Sequence, residues 1–169
     1  MIHKEANEQG KQKSVSRPAI IILGVGNILL RDEGVGVRVI EAMEGRELPD
    51  NVELLDGGTA SMDLLTSLAN RDKVIIIDAV KGGNEPGTLY RFSPDDITIQ
   101  KQTVTSLHQV GLLETLTIAR HLGCTPREVI IFGIEPKEVS WGLELSPEVA
   151  SATPRVIELV LEELGIKEA

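Results

Sequence analysis

Four residues have the type and placement to do chemistry: Glu33, Asp56, Asp78 and His108. Asp78 stops the apolar run Val74-Ile75-Ile76-Ile77, and Asp56 stops the weaker run Val52-Glu53-Leu54-Leu55. A carboxylate ending a strand buried on both faces is costly unless it is paired, hydrogen-bonded or bound to a cation. Asp78 therefore either caps the following loop, Lys81-Gly82-Gly83, or serves a cation. Asp56 precedes Gly57-Gly58-Thr59, where a turn-capping role competes strongly with a chemical one. The two glycines point either to positive φ or to close backbone approach by a peptide. Asp56 and Asp78 are expected to end neighbouring strands, close enough to share an ion. Glu33 closes the stretch Gly24-Val25-Gly26-Asn27-Ile28-Leu29-Leu30-Arg31-Asp32-Glu33. Asp32 is expected to cap a helix there, with Glu33 in its first turn. His108 follows Thr105-Ser106-Leu107 at the start of a long helical pattern, a place where a lone histidine is more often structural. Together, Glu33, Asp78 and His108 put two carboxylates and one imidazole on three converging loops. Such a mixed oxygen and nitrogen set suits a divalent transition metal. There is no His-Glu-x-x-His helix and no Gly-x-Ser-x-Gly nucleophile turn.

The elements that must position these groups are legible as alternating patterns. Ala19-Ile20-Ile21-Ile22-Leu23, Val74–Ile77 and Val129-Ile130-Ile131-Phe132 are short, β-branched and apolar on both faces, as central parallel strands are. Thr88-Leu89-Tyr90-Arg91-Phe92 alternates behind a Pro86-Gly87 turn and reads as an edge or antiparallel strand. Helical stripes lie between them: Val35, Val39, Ile40 and Met43; Met62, Leu65, Leu68 and Ala69 behind a Ser61 cap; and Leu107 to Leu122, stopping at Gly123. The last helix starts either at Thr153-Pro154 or at Ser146-Pro147 with a kink at Pro154. Strands alternating with helices imply an α/β fold with a mostly parallel sheet covered on both faces. Sites in such folds lie beyond the carboxyl ends of the strands, where all four residues fall.

Composition narrows the function classes. Among 169 residues, 17 Lys and Arg face 26 Asp and Glu, a formal charge of −9 that argues against a nucleic-acid binder. Aromatic residues are only 2%, too few for base-stacking platforms. Hydrophobic residues reach 41%, enough for a full core, and the single cysteine, Cys124, can form no internal disulfide or thiolate cluster. No apolar run approaches the roughly 20 residues of a membrane helix, and no secretory signal is evident. A cytoplasmic protein with no membrane or nucleic-acid partner is expected. Met1–Arg17 is polar and reads as a disordered tail (1–17), leaving 18–169 as one domain. The Gly24-x-Gly26 turn is a poor match to a dinucleotide loop, because position 29 is leucine and the helix does not follow the turn directly, and a nucleotide-binding α/β domain stays only as a minor alternative.

Beyond these residues, the stretch from Gly24 to Gly36 resembles the opening motif of the hydrogenase maturation endopeptidases. Leu55-Asp56-Gly57-Gly58-Thr59 and Ile77-Asp78-Ala79 are similar to their second and third motifs, and Ser106-Leu107-His108-Gln109-Val110-Gly111-Leu112 to their histidine motif. Gly133-Ile134-Glu135-Pro136 and Gly142-Leu143-Glu144-Leu145-Ser146-Pro147 resemble the closing blocks. Each block alone is weak, but their order over nearly the whole chain is specific. The resemblance implies a three-layer α/β/α sandwich of about five strands. It also implies an endopeptidase that removes the C-terminal extension of a nickel-iron hydrogenase large-subunit precursor once nickel is in place. The nickel contacts map onto Glu33, Asp78 and His108, the metal being supplied by the substrate. Either the metal polarises the scissile carbonyl or only positions the substrate, and Asp56 or Asp78 is then the carboxylate that activates water, as an aspartyl protease would. A non-enzymatic nickel-binding checkpoint or chaperone with the same ligands is the alternative.

Overall fold

A computed structural model describes residues 17–60, 62–97 and 107–166, with backbone alone at 107–110. Five strands form one sheet: β1 (Ile20–Val25), β2 (Val52–Gly58), β3 (Lys73–Ala79), β4 (Leu89–Phe92) and β5 (Glu128–Ile134). Their order is β2-β1-β3-β5-β4. The first four in that order are parallel, and β4 is antiparallel to β5 at the edge. The helices are α1 (Val35–Met43), α2 (Leu65–Leu68), α3 (Leu107–His121) and α4 (Pro147–Glu163).

The strand pleat sorts the apolar residues into two cores. Ile22, Ile75, Ile77, Ile130 and Phe132 pack with Val39, Ile40 and Met43 of α1 and Val156 and Val160 of α4. Ile21, Leu23, Val74, Ile76 and Ile131 face the other way, onto Leu68 of α2 and Leu112 and Leu116 of α3. Alternate residues of each central strand thus serve opposite layers, and the result is the expected α/β/α sandwich.

Several local expectations need correction. Asp56 and Asp78 do not end neighbouring strands, because β1 lies between β2 and β3. The apolar stripe Met62–Ala69 yields only a 3-10 turn at Met62–Leu64 and the single helical turn α2. Asn70 then takes a left-handed backbone (φ 56) and its N–H goes to Cys124 O at 2.9 Å, ending the element. The Ser61 cap lies outside the described residues. The last helix starts at Pro147 with Ser146 as its N-cap residue and runs through Pro154. Proline at the first helical position forfeits no bond. Arg17, placed in the tail by composition, belongs to the body: its guanidinium donates to Thr66 O, to Ser67 O at 2.6 Å and to Ala69 O at 3.4 Å at the end of α2. Residues 1–16 lie outside the described residues. Among the described residues no helix is long and apolar enough to cross a membrane.

Candidate functional site

The chain runs from β1 outward to β2 and then returns to the other side of β1 to make β3. That reversal opens a crevice at the carboxyl ends of β1 and β3, the place where open α/β sheets bind ligands. After β1 the chain makes a turn and then a 3-10 helix, Arg31–Gly34, which packs against β3. Glu33 is on this 3-10 helix, half-buried, with one carboxylate oxygen shielded from solvent. Asp78 is the penultimate residue of β3 and is fully buried, its Oδ1 accepting the Ala79 N–H at 2.8 Å. Its register partner is Gly133 of β5. By pleat it shares a face with Val74 and Ile76, the face covered by α3. The backbone of His108 is in the first turn of α3; its side chain lies outside the described residues. Helix α3 therefore starts over the same sheet face to which Asp78 belongs.

Asp56 occupies a different place. It is exposed at the end of β2, opposite Gly24 of β1, and its Oδ1 accepts the Gly58 N–H at 2.8 Å. The turn-capping role is therefore real, and Gly58 has the positive φ (48) that this turn requires. Gly57, by contrast, is buried where a Cβ would meet Leu23 Cδ1 at 2.7 Å, so it serves packing against β1 rather than peptide approach. Asp56 lines an open cleft of about 310 Å³ with Gly26, Asn27, Ile28, Leu29, Val37 and Thr59. Its pleat matches Leu54, on the α1 face, opposite to that of Asp78. Two strand spacings put the two backbones about 10 Å apart. The pair cannot share one proton or one ion, so they are separate groups flanking β1.

Two buried carboxylates organise this edge, Asp32, expected as a helix cap, and Glu135, with no role expected of it. Asp32 is not a helix cap. Its Oδ1 accepts the Ser146 N–H at 2.7 Å, and its Oδ2 accepts the N–H groups of Lys137 and Glu138, each at 2.9 Å, and the Ser146 hydroxyl at 2.8 Å. Glu135, just past β5, accepts the Gly82 N–H at 2.7 Å, the Gly83 N–H at 3.3 Å and the Tyr90 hydroxyl at 2.5 Å. Glu135 thus fastens the glycine loop that follows β3. Burial pushes the Glu135 carboxyl up, but the hydrogen bonds from Tyr90 and the loop amides outweigh it and hold the group below its ordinary range. Burial and the bond to Glu135 raise the Tyr90 phenol. The signal for Glu135 was available in the sequence: an acid directly after an apolar strand, as at Asp78.

The donor set of Glu33 and Asp78 is hard oxygen. Among the described residues no group of three metal-ligating side chains gathers, and the His108 side chain lies outside them. Asp78 and the start of α3 share one sheet face, whereas Asp56 belongs to the other.

The geometry can be set beside known proteins. The family model described as hydrogenase maturation protease (HycI) matches residues 37–163, a span that contains Asp56, Asp78 and His108. The Hydrogenase 2 maturation protease of Escherichia coli K12 is 43% identical over 147 residues, covering 86% of this chain and 90% of that protein. The hydrogenase expression/formation protein HupD of Thiocapsa roseopersicina is 38% identical over 153 residues, covering 89% and 69%. The solved structure of the hydrogenase maturating endopeptidase HybD from E. coli superposes with a TM-score of 0.80 at 42% identity, over 86% of this chain and 91% of that one. With the motifs in order, the sandwich reproduced and the acidic groups at the switch point of the sheet, the chain belongs to the hydrogenase maturation protease family.

Proposed function

We propose that this endopeptidase removes the C-terminal extension of a nickel-iron hydrogenase large-subunit precursor after nickel insertion, as a cytoplasmic step. The observation that carries this reading is the pairing of two acidic regions at one sheet edge. Glu33 and the buried Asp78 flank the crevice between β1 and β3, and Asp56 stands in an open cleft on the other side of β1. Nickel enters as part of the substrate, with Glu33, Asp78 and His108 as its protein contacts, and its binding registers the scissile peptide against the edge. Peptide hydrolysis needs a water deprotonated as it attacks the carbonyl and a proton returned to the leaving amine. The exposed Asp56 carboxylate, already oriented by the Gly58 N–H, has the solvent access for that proton transfer.

Single-turnover cleavage of nickel-loaded and nickel-free precursor, followed by intact mass, tests this reading. Wild type should cut only the loaded form. Asp56→Asn should bind the loaded precursor normally while cutting about 10²–10⁴-fold more slowly, the range for loss of a general base. Asp78→Asn should lose binding and cleavage together. Wild type that binds loaded precursor and never cuts it would leave a nickel-sensing chaperone in place of a peptidase.

A further inference from the structure

Residues 137–145 form a loop closed at its base by one buried side chain. Asp32 takes the N–H groups of Lys137 and Glu138 at one end and both the N–H and hydroxyl of Ser146 at the other. Its own N–H donates to Glu138 O at 3.2 Å. Farther out, the loop is stitched to the turn after β1. Arg31 N–H donates to Gly142 O and Gly142 N–H to Leu29 O, both at 2.9 Å, and Arg38 reaches Leu143 O at 2.9 Å. The backbone is thus held at its base, middle and far side, yet the apolar side chains point to solvent. Trp141 is 79% exposed, Leu143 58% and Val139 39%, and Leu29 on the adjoining turn is 47% exposed.

A loop free to choose would turn its tryptophan inward, because a tryptophan that buries ~150–250 Å² is among the larger hydrophobic contributions a side chain can make. Here the hydrogen bonds fix a backbone that keeps it outside. Clustered exposed apolar groups of this kind mark interaction surfaces, and tryptophan is the residue most enriched among those that dominate binding. Two cations beside the patch are already paired, Lys137 with Glu148 at 2.5 Å and Arg31 with Glu138 at 3.4 Å, and the exposed Glu144 adds a negative charge at its edge. In a chain of net charge −9, this face is therefore suited to an apolar partner surface rather than a basic one. Its position names the partner, because Leu29 belongs both to this patch and to the cleft lined by Asp56.

We propose that Val139, Trp141, Leu143 and Leu29 form the docking surface for an apolar segment of the hydrogenase large-subunit precursor beside its scissile bond, a role that rests on the peptidase reading above. The loop holds the precursor by apolar contact while the acidic edge reads the metal and cuts. Trp141 is the only tryptophan in the chain, so it reports its own occupancy. Full-length enzyme carrying 5-fluorotryptophan gives a single fluorine resonance, to be followed while nickel-loaded precursor is added. The resonance should move on binding, and the binding should persist in high salt. Trp141→Ala should raise KM about tenfold or more with kcat within about twofold. Trp141→Phe should recover part of the loss, and Leu143→Ala should show a smaller rise in KM. These side chains are exposed, so melting temperatures should stay at the wild-type value.

Cleavage by wild type with an unmoved resonance, or unchanged KM in both alanine variants, overturns the docking surface and leaves the peptidase intact. A resonance that moves while the precursor stays uncut keeps the surface and removes the peptidase. A resonance that moves with enzyme concentration alone assigns the face to a second copy and overturns the proposal, and absence of both binding and cutting overturns both readings.

Discussion

Glu135 and Asp32 show how an acid can shape a site without touching a substrate. Each carboxylate is buried and offers its lone pairs to backbone N–H groups of a loop with no regular structure of its own. For Glu135 this has a pH signature. Its ionised form is favoured in the folded state, so its stabilisation is present above the ordinary glutamate range, about 4.3. It is lost as pH falls through the depressed folded value. Glu135→Gln should cost about 1–3 kcal/mol at neutral pH, because an NH2 group then faces donors that a carboxylate oxygen had accepted. It should also flatten the acid limb of the stability profile, measured by urea melts from neutral pH downward. Wild-type and variant profiles of the same shape in acid would remove Glu135 as the titrating group. The sequence marked Asp56, Asp78 and Glu33 because strand-end and turn positions are visible from periodicity. It misread Asp32 because the donors to that carboxylate come from more than a hundred residues away, and no local pattern encodes them.

At the level of elements, the strands fall within a few residues of where apolar runs place them, and the antiparallel edge strand was visible in its alternation and its Pro-Gly turn. Strand order was not visible. Every central strand is equally apolar, so nothing in the runs says that β1 intervenes between β2 and β3. Helix α1 illustrates what a short glycine pattern can mean when it is not a phosphate loop. A Cβ on Gly36 would lie 2.2 Å from Ile77 O and 2.4 Å from Val25 O, so the helix is seated directly on the backbones of β1 and β3. These contacts are with backbone atoms that cannot rotate away. Gly36→Ala should therefore cost about 3 kcal/mol or more, at or beyond the upper end of overpacking effects, read as a fall in urea midpoint. A loss under about 1 kcal/mol would mean that α1 can lift off the sheet without penalty. Because Glu33 lies just before this helix, the same substitution should impair cleavage in the molecules that still fold.

For the whole molecule, two arginines hold the segment that leads into β1. Arg17 reaches the carbonyls ending α2, and the buried Arg71 donates to Pro18 O, to Ser67 O at 2.8 Å and to Glu53 at 2.6 Å. Removal of residues 1–16 should leave the melting temperature and precursor cleavage within error of wild type, since that stretch has little apolar surface to repay its ordering. Removal of residues 1–18 takes away both the Arg17 donors and the Pro18 acceptor, and should lower stability by about 1–3 kcal/mol. Equal melting curves for the two truncations would show that these bonds contribute nothing net, and a large loss from the shorter one would place part of the tail on the body. Composition placed Arg17 with the polar stretch before it. It could not show that a charged side chain at the very end of a polar stretch is a cap for a distant helix.

The fastening of residues 137–146 by Asp32 also sets an order of events during synthesis. Asp32 leaves the ribosome with the first strand, but Ser146 follows 114 residues later. Lys137 and Glu138 come 105 and 106 residues after Asp32, so until then the carboxylate has none of its four donors, and the turn carrying Glu33 has β3 to pack on but not the loop that fastens it. At the ~5–20 residues per second of translation, that interval is several seconds or more. A nascent chain can pair β1, β2 and β3 in that time and still have no finished edge. The chain becomes a peptidase only when nearly all of it exists.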